Sequence, residues 1–311
     1  MANFESPALY IDFSRLPPPK VIEEVNFEEL LEFYQDDLVK REPRLKSAVE
    51  LEQSPTNVIL QPQAFGNMIL RQRVNGAARA NMLPFATGSD LDNLAAFFAM
   101  NRGFDVSRLP LVESPRNVDA HPEDWEDDTR FRRRIQLAPE AFATAGSEGG
   151  YLYHALTSDV TLRDASAVRV DDRGLVRVTL MNQGSDPTPT TAQVNAVRTR
   201  LNHKGIKPLT DTVYVAPVEI VRRMIRASVT LYPGPDAAIV VNEIRTALTN
   251  LRSKVARLGV DLTRAAIVSA CYREGVQNVT VDPGFSDTAV DTSQTVVITD
   301  ADLTIAPLRV E

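Results

Sequence analysis

Few residues in this chain could carry chemistry, and they are widely separated. The three histidines, His121, His154 and His203, lack the i, i+4 spacing of a zinc site on one helix. The single cysteine, Cys271, excludes an intrachain disulfide and a cysteine-based metal site. The sequence contains no GxGxxG, GxxxxGK[ST], GxSxG or HExxH motif. These residues therefore single out no catalytic residue, no metal site and no cofactor site, although missing motifs do not exclude an enzyme.

A glycine-rich stretch, AGSEGGY at residues 145–151, precedes a predicted helix. Such a turn can hold an anion at the helix N-terminus. It lacks the following lysine and the magnesium-binding hydroxyl of a phosphate loop. The sequence favours a hinge between domains at Gly146, Gly149 and Gly150.

Arginines cluster at residues 130–134 and again at Arg71, Arg73 and Arg79. The one aromatic residue among them, Phe131, is no platform for stacking several bases, and acidic or apolar residues accompany each cluster. The chain has 34 basic and 41 acidic residues, a net charge of −7, which disfavours phosphate binding. We predict solvated or salt-bridged helix faces and no nucleic-acid partner.

Composition indicates a folded soluble protein, since 43% of the residues are apolar and 24% are charged. The 311 residues suggest two domains with an added helical region. No apolar run approaches the ~20 residues that span a bilayer, and the N-terminus lacks a basic region followed by an apolar core. We expect no membrane partner and a cytoplasmic address in the cell that makes the protein.

The front third of the sequence predicts an extended arm and three helices. Consecutive prolines at 17–19 predict an arm over residues 1–25. Asn26 and Glu29 have capping-box spacing, and Pro43 ends the helix that they begin. Further helices are predicted over about 58–83 and from Ser89 to Gly103. Together they make a helical core-bundle region over residues 26–105.

Residues 106–150 are predicted to form a linker and a hinge helix. Prolines stand at 110, 115 and 122, and an acidic cluster surrounds Trp125. The cluster leads into a helix from Thr129, where acidic residues favour the helix N-terminus. Pro139 is expected to kink or end this helix.

The remainder predicts two repeated modules, at residues 151–220 and 221–311. A strand, a Gly/Pro loop and a helix recur, with strand segments at 177–180 and 228–231. We therefore expect an α+β fold: the N-terminal helical bundle region followed by two split-βαβ-like modules. The helices carry more apolar surface than one small bundle needs, which favours an assembly component.

Five sequence segments resemble the baseplate J-like family of contractile-tailed phages. They appear in the same order and spacing, from about Pro17 to the end of the second module. The segments are ILRQRVNGAARA at 69–80, FATGSDLDNLA at 85–95, FRRRIQL at 131–137 with Ala145 and Gly146, PLTDTV at 208–213 and LYPGPD at 231–236.

This resemblance implies a structural baseplate wedge protein of a phage tail, or of a tail-derived bacteriocin, without catalytic activity. In the family, two copies pair with a smaller tail protein I-like partner through a helical core bundle. Six wedges form a ring around the tail hub, partly through C-terminal domains, and a W-like (lysozyme-like) protein joins the ring to the sheath. The implied location is the virion baseplate, after assembly in the host bacterial cytoplasm.

The resemblance places the partner interface on the second and third helices and assigns no contact to the Trp125 segment. The implied interface residues are Phe65, Leu70, Val74, Ala77, Ala78, Leu91, Leu94 and Phe98. Two other functions stay open from the sequence. One is a ligand-binding sensor with tandem ferredoxin-like modules, and the other is an enzyme that uses the glycine-rich turn.

Overall fold

The structure, a computed structural model, describes residues 17, 19–99, 106–143, 146–233 and 236–306. These residues belong to two units. The N-terminal unit comprises Met1–Arg108 and Val112–Arg133, and the C-terminal unit comprises Leu109–Leu111 and Arg134–Glu311. Most of the predicted arm lies outside the described residues, as does the predicted helix end at Gly103.

Four helices form the first part of the N-terminal unit: α1 (Phe27–Arg41), α2 (Lys46–Val49), α3 (Pro55–Ala80) and α4 (Gly88–Ala99). The Asn26 side chain caps α1 by accepting from the Glu28 N–H at 3.0 Å. Helix α3 begins three residues before its predicted start, because Ser54 caps it and Pro55 occupies the first turn, where a missing N–H costs nothing.

Helix α3 contacts α1 partly through amide side chains. Asn57 is 2% exposed and accepts a hydrogen bond from Gln35 at 3.0 Å. The Asn67 amide donates to the Tyr34 hydroxyl at 2.7 Å. The buried residues of α3 are Asn57, Leu60, Ala64 and Asn75. Only two of these four are apolar, so this helix buries little of its hydrophobic surface within the unit.

Ser89 and Asp92 have the spacing of a helix cap near the start of α4, but the structure caps this helix differently. The Gly88 N–H donates to the Asp128 carboxylate at 3.2 Å, and the Ser89 N–H donates to Asp119 at 2.9 Å. Two carboxylates from a later segment thus satisfy free amides at the helix N-terminus. The Asp92 side chain instead accepts from Arg108.

Helix α5 (Asp128–Ala141) follows a short 3-10 turn at Pro122–Asp124. Pro139 lies inside α5 and does not end it at Ala138. Phe131, Ile135 and Leu137 are fully buried.

The first sheet lies in the C-terminal unit and has the strand order β1-β2-β3. Its elements follow α6 (Glu148–Ser158): β1 (Leu162–Arg169), β2 (Leu175–Asn182), α7 (Thr191–Leu201) and β3 (Thr212–Pro217). Strands β1 and β2 are antiparallel, joined by a turn in which Gly174 adopts φ +87°. Strands β2 and β3 are parallel, with α7 as the crossover.

The second sheet has the order β5-β4-β6. Its elements are β4 (Glu219–Leu231), α8 (Ala237–Val255), α9 (Arg264–Cys271), β5 (Val276–Val281) and β6 (Gln294–Ala306). Strand β4 pairs antiparallel with β5 and parallel with β6. Helices α8 and α9 cover the sheet, and Ile225, Ile244 and Ile267 are fully buried in the resulting core.

The two sheets confirm the α+β class and add two findings. In each sheet the central strand has one antiparallel and one parallel neighbour, and a helix follows it. The sequence suggested split βαβ units, in which a third strand lies between the two parallel strands. In both sheets of the structure the parallel strands are instead direct neighbours. Only Val218 separates β3 from β4, and its N–H still donates to the Leu180 carbonyl at 3.0 Å. The two sheets are therefore joined directly.

Candidate interaction surface

Helix α3 exposes large apolar side chains along most of its length. Ile59 is 70% exposed, Phe65 51%, Leu70 66% and Val74 64%. Val58 and Ile69 are also exposed. An exposed leucine alone is ordinary, but several exposed apolar residues on one helix indicate an interaction site. We call the set Val58, Ile59, Phe65, Ile69, Leu70 and Val74 the α3 surface.

Helical spacing gathers most of the α3 surface on one side. Ile69 lies eleven residues after Val58, and Leu70 lies eleven after Ile59, which is three turns in each case. The buried residues Leu60 and Ala64 lie on the opposite side, one turn apart. The helix thus has apolar residues on two sides, and the unit covers only one of them.

The structure places the predicted interface residues in three different environments. Phe65, Leu70, Val74 and Ala77 are exposed, and Ala78 and Leu94 are partly buried. Leu91 is fully buried in the N-terminal unit, so its side chain belongs to that unit's own core and is not available to a partner. Phe98 belongs to α4, but its side chain lies outside the described part.

The glycines of the predicted hinge lie at close contacts within the C-terminal unit. Gly146 has φ +72°, and an added Cβ would lie 2.6 Å from the Pro208 side chain. Gly149 and Gly150 are buried in the first turn of α6. A Cβ on Gly149 would lie 2.6 Å from the Glu140 side chain. Close packing accounts for these glycines without motion, and the hinge stays a prediction.

Arg108, which the sequence did not single out, is the centre of a buried polar network. Its side chain is 3% exposed and pairs with Asp92 at 2.7 Å and Asp128 at 2.8 Å. It also donates to the Glu126 carbonyl at 2.7 Å, and its guanidinium carbon lies 4.8 Å from the Phe131 ring centre. A buried cation needs such partners. The region predicted as a linker thus contributes to the N-terminal unit.

The acidic cluster around Trp125 pairs within the same unit. Arg116 contacts Asp124 through two nitrogens, at 2.8 and 3.1 Å, and this hydrogen bonding lowers the pKa of Asp124 to about 2. The Trp125 indole N–H donates to the Arg116 carbonyl at 2.5 Å. Glu126 and Arg130 form a buried ion pair. Their i, i+4 spacing was a visible signal for this pair.

The arginine run at 130–134 differs from the predicted solvated face. Arg130 and Arg134 are buried, and the Arg134 guanidinium donates to the Thr157 hydroxyl at 3.3 Å. Arg132 donates to the carbonyls of Leu83 and Ala86 at 2.7 and 2.6 Å. The prediction of salt bridging holds for Arg130, whereas the prediction of a solvated face is wrong, because these guanidinium groups bind groups within the fold.

The remaining titratable groups form no reactive cluster in the described residues. Burial lowers the pKa of His154 to about 4, with a smaller effect of Arg200. Burial raises the pKa of the Cys271 thiol to about 11. Burial and a hydrogen bond to Asp211 at 2.6 Å raise the pKa of Tyr151. No group of three or more His, Cys, Asp or Glu among the described residues has a metal-binding arrangement.

Among the described residues, cavities occur inside each of the two units. One of about 430 Å³ in the N-terminal unit is lined by Gly88, Arg108 and Asp119, among others. Another, of about 250 Å³, lies between α8 and β6 and is lined by Arg245, Arg252 and Asp300, among others. Of the helices in the described ranges, none combines the length and apolar character needed to cross a bilayer.

Comparison with known proteins defines the class of this chain. Residues 52–105 match the Baseplate J-like N-terminal domain, and residues 143–217 match the Baseplate J-like central domain. The chain belongs to the Baseplate J-like family and has a structural role in a phage baseplate. It is similar to Baseplate protein J of Escherichia phage P2, with 32% identity over 294 residues, which covers 91% of this chain and 94% of that protein.

Proposed function

We propose that the chain is a wedge protein of a contractile-tail baseplate, in a phage or a tail-derived bacteriocin, and that it has no catalytic activity. Its α3 surface binds a smaller tail protein I-like partner. Copies of the resulting wedge then form a ring around the tail hub. The observation that carries this proposal is the exposed apolar side of α3.

The free energy of burial supports an assembly role for this surface. Fully burying one large apolar side chain contributes ~1.5–3 kcal/mol relative to leaving it exposed. Six such residues lie on the α3 surface. A partner that covers even half of them would gain several kcal/mol, before the cost of association is subtracted.

The finer parts of the proposal concern the other partners and the location. We propose that further copies of this chain and a W-like (lysozyme-like) protein complete the ring in the virion baseplate, after assembly in the host bacterial cytoplasm. The domain boundaries predicted at residues 25, 105, 150 and 220, and the hinge at Gly146, Gly149 and Gly150, belong to the same proposal. No structural observation favours the ligand-binding sensor.

Co-expression with the tail protein I-like protein of the same tail tests the proposal. The wild-type chain should co-purify with it as a complex of defined mass. Leu70→Asp should abolish the complex, because it places a charge in the centre of the α3 surface. The matched control is Val170→Asp, which changes an exposed apolar residue of the C-terminal unit and should leave the complex intact.

Circular dichroism should show both variants folded, because both residues are largely exposed. A complex that survives Leu70→Asp, or a wild-type chain that stays a monomer with its partner present, would contradict the proposed function.

A further inference from the structure

Helix α3 has an unusual charge distribution for a chain with net charge −7. Residues 53–89 contain three arginines and no aspartate or glutamate. Of the three, Arg71 pairs with Glu23 at 3.0 Å. Arg73 lies four residues after Ile69 and three after Leu70, so it emerges on the same side as the α3 surface. Within the described part of the chain, Arg73 is exposed and has no acidic partner.

Helix α3 contains two glycines, and no neighbouring atom in the described structure requires a residue without a side chain at either position. A glycine inside a helix costs about 1 kcal/mol relative to alanine. A Cβ added to Gly66 or Gly76 would meet no atom within 4 Å in the described structure. Gly66 lies three residues before Ile69 and four before Leu70, so it faces the same open side. A residue without a side chain lets another backbone approach closely at this position.

We infer that the α3 surface is covered by an amphipathic helix that approaches closely at Gly66 and carries acidic side chains beside Arg73. This inference rests on the proposed function, since it specifies the partner of the same surface. Apolar residues opposite Phe65, Ile69 and Leu70 would supply most of the affinity, and the acidic residues would set orientation. Helix α3 of a second copy has no aspartate or glutamate to place beside Arg73, so the acidic side chains come from the smaller partner.

Two synthetic helical peptides with one shared apolar stripe test this inference on the full chain. One carries glutamates beside the stripe, and the other carries lysines at the same positions. If only the chain's net charge of −7 mattered, the lysine peptide would bind more tightly than the glutamate peptide. The α3 surface favours the glutamate peptide. We expect the glutamate peptide to bind about two- to fivefold more tightly at low salt, measured by fluorescence anisotropy.

Arg73→Glu should remove or reverse this preference. The matched control is Arg79→Glu, which makes the same charge change on an exposed arginine of the same helix, outside the arc of the α3 surface. It should leave the preference unchanged. Equal or tighter binding of the lysine peptide, no binding of either peptide, or equal effects of the two variants would overturn the inference.

Gly66 gives an independent test of close approach. Gly66→Ala should raise the thermal midpoint of the N-terminal unit slightly, because alanine favours the helix. Gly66→Leu should leave that unit folded but weaken the glutamate peptide at least tenfold, because the added side chain separates the helices. Unchanged peptide affinity of Gly66→Leu would refute the close contact.

The co-expressed wedge partner separates this inference from the proposed function. A complex that is lost with Leu70→Asp but unaffected by Arg73→Glu and Gly66→Leu would leave the proposed function standing and overturn the inference. If the wild-type chain does not bind the wedge partner but keeps the charge-dependent peptide preference, the proposed function falls and the inference about the surface stands.

Discussion

Helices α3 and α8 are both long and amphipathic, yet they use their apolar residues differently. Six residues of α8, including Ile244 and Leu251, are buried in the core of the second sheet. Helix α3 is longer, with 26 residues against 19, but it buries only four, two of them asparagines. Its large apolar side chains face solvent instead. Apolar content alone therefore does not show where a helix is covered.

The polar contacts of α3 follow from this difference. The buried Asn75 side chain accepts from the Glu23 N–H at 3.1 Å and donates to the Glu23 carbonyl at 2.8 Å. Asn57 donates to the carbonyls of Val49 and Leu51, both at 2.7 Å. Buried amides with satisfied partners fix the position of a helix without a large apolar core. The C-terminal unit instead depends on aliphatic packing around its sheets.

The largest expected effect separates the two helices directly. Ile244→Ala should lower the free energy of unfolding of the C-terminal unit by about 2–5 kcal/mol, because it leaves a cavity in a packed core. Leu70→Ala should change the stability of the N-terminal unit by no more than about 0.5 kcal/mol, because the side chain is largely exposed. Denaturant unfolding followed by circular dichroism measures both values. Equal losses would break the comparison between α3 and α8.

A similar loss is expected in the polar network of the N-terminal unit. Arg108→Ala leaves Asp92 and Asp128 without their cation and should cost about 3 kcal/mol. Trp125 is the single tryptophan and lies in this unit, so its fluorescence reports the unfolding. The control is Arg116→Ala, which removes a side chain that is 56% exposed and should cost less than about 1 kcal/mol. Equal costs would refute the central role of Arg108.

The smallest effect concerns pH and the C-terminal unit. The pKa of His154 is about 4 in the folded chain against an ordinary value of 6.5. Between pH 6.5 and pH 4 the His154 imidazole is protonated in the unfolded chain but neutral in the folded chain. The free energy of unfolding therefore falls as the pH falls. The loss should reach about 2–3 kcal/mol near pH 4.

His154→Gln should remove that part of the pH dependence, and His203→Gln, which changes an exposed histidine, should retain it. Denaturant titrations at pH 7, 5.5 and 4 measure the difference. If the free energy of unfolding of His154→Gln fell with pH as steeply as that of the wild type, His154 would not be the source of this pH dependence.

Local signals predicted most of the fold. The Asn26 cap gave the start of α1 within one residue of the structure. The residues Asp-Asp-Arg-Gly at 171–174 are typical of a hairpin turn, and the structure has a hairpin there between β1 and β2. These features depend on neighbours a few residues apart, and single sequences report such contacts well.

The rest depended on contacts that are distant in sequence. Arg108 lies in an ordinary loop, and its acidic partners are 16 and 20 residues away, so no motif marked it. The α3 surface was only partly predictable. Periodicity identified Leu70 and Val74, but it could not show which apolar side of the helix the unit itself covers. The family resemblance assigned Leu91 to the interface, but the N-terminal unit buries it completely.

Thiol labelling of a cysteine placed on α3 tests the central claim most directly. The native Cys271 is fully buried, and burial raises its pKa to about 11, so it gives little background. Leu70→Cys should react rapidly in the isolated chain and be protected in assembled tails, whereas Ile244→Cys should be protected in both. Equally rapid labelling of Leu70→Cys in assembled tails would contradict the claim that assembly covers the α3 surface.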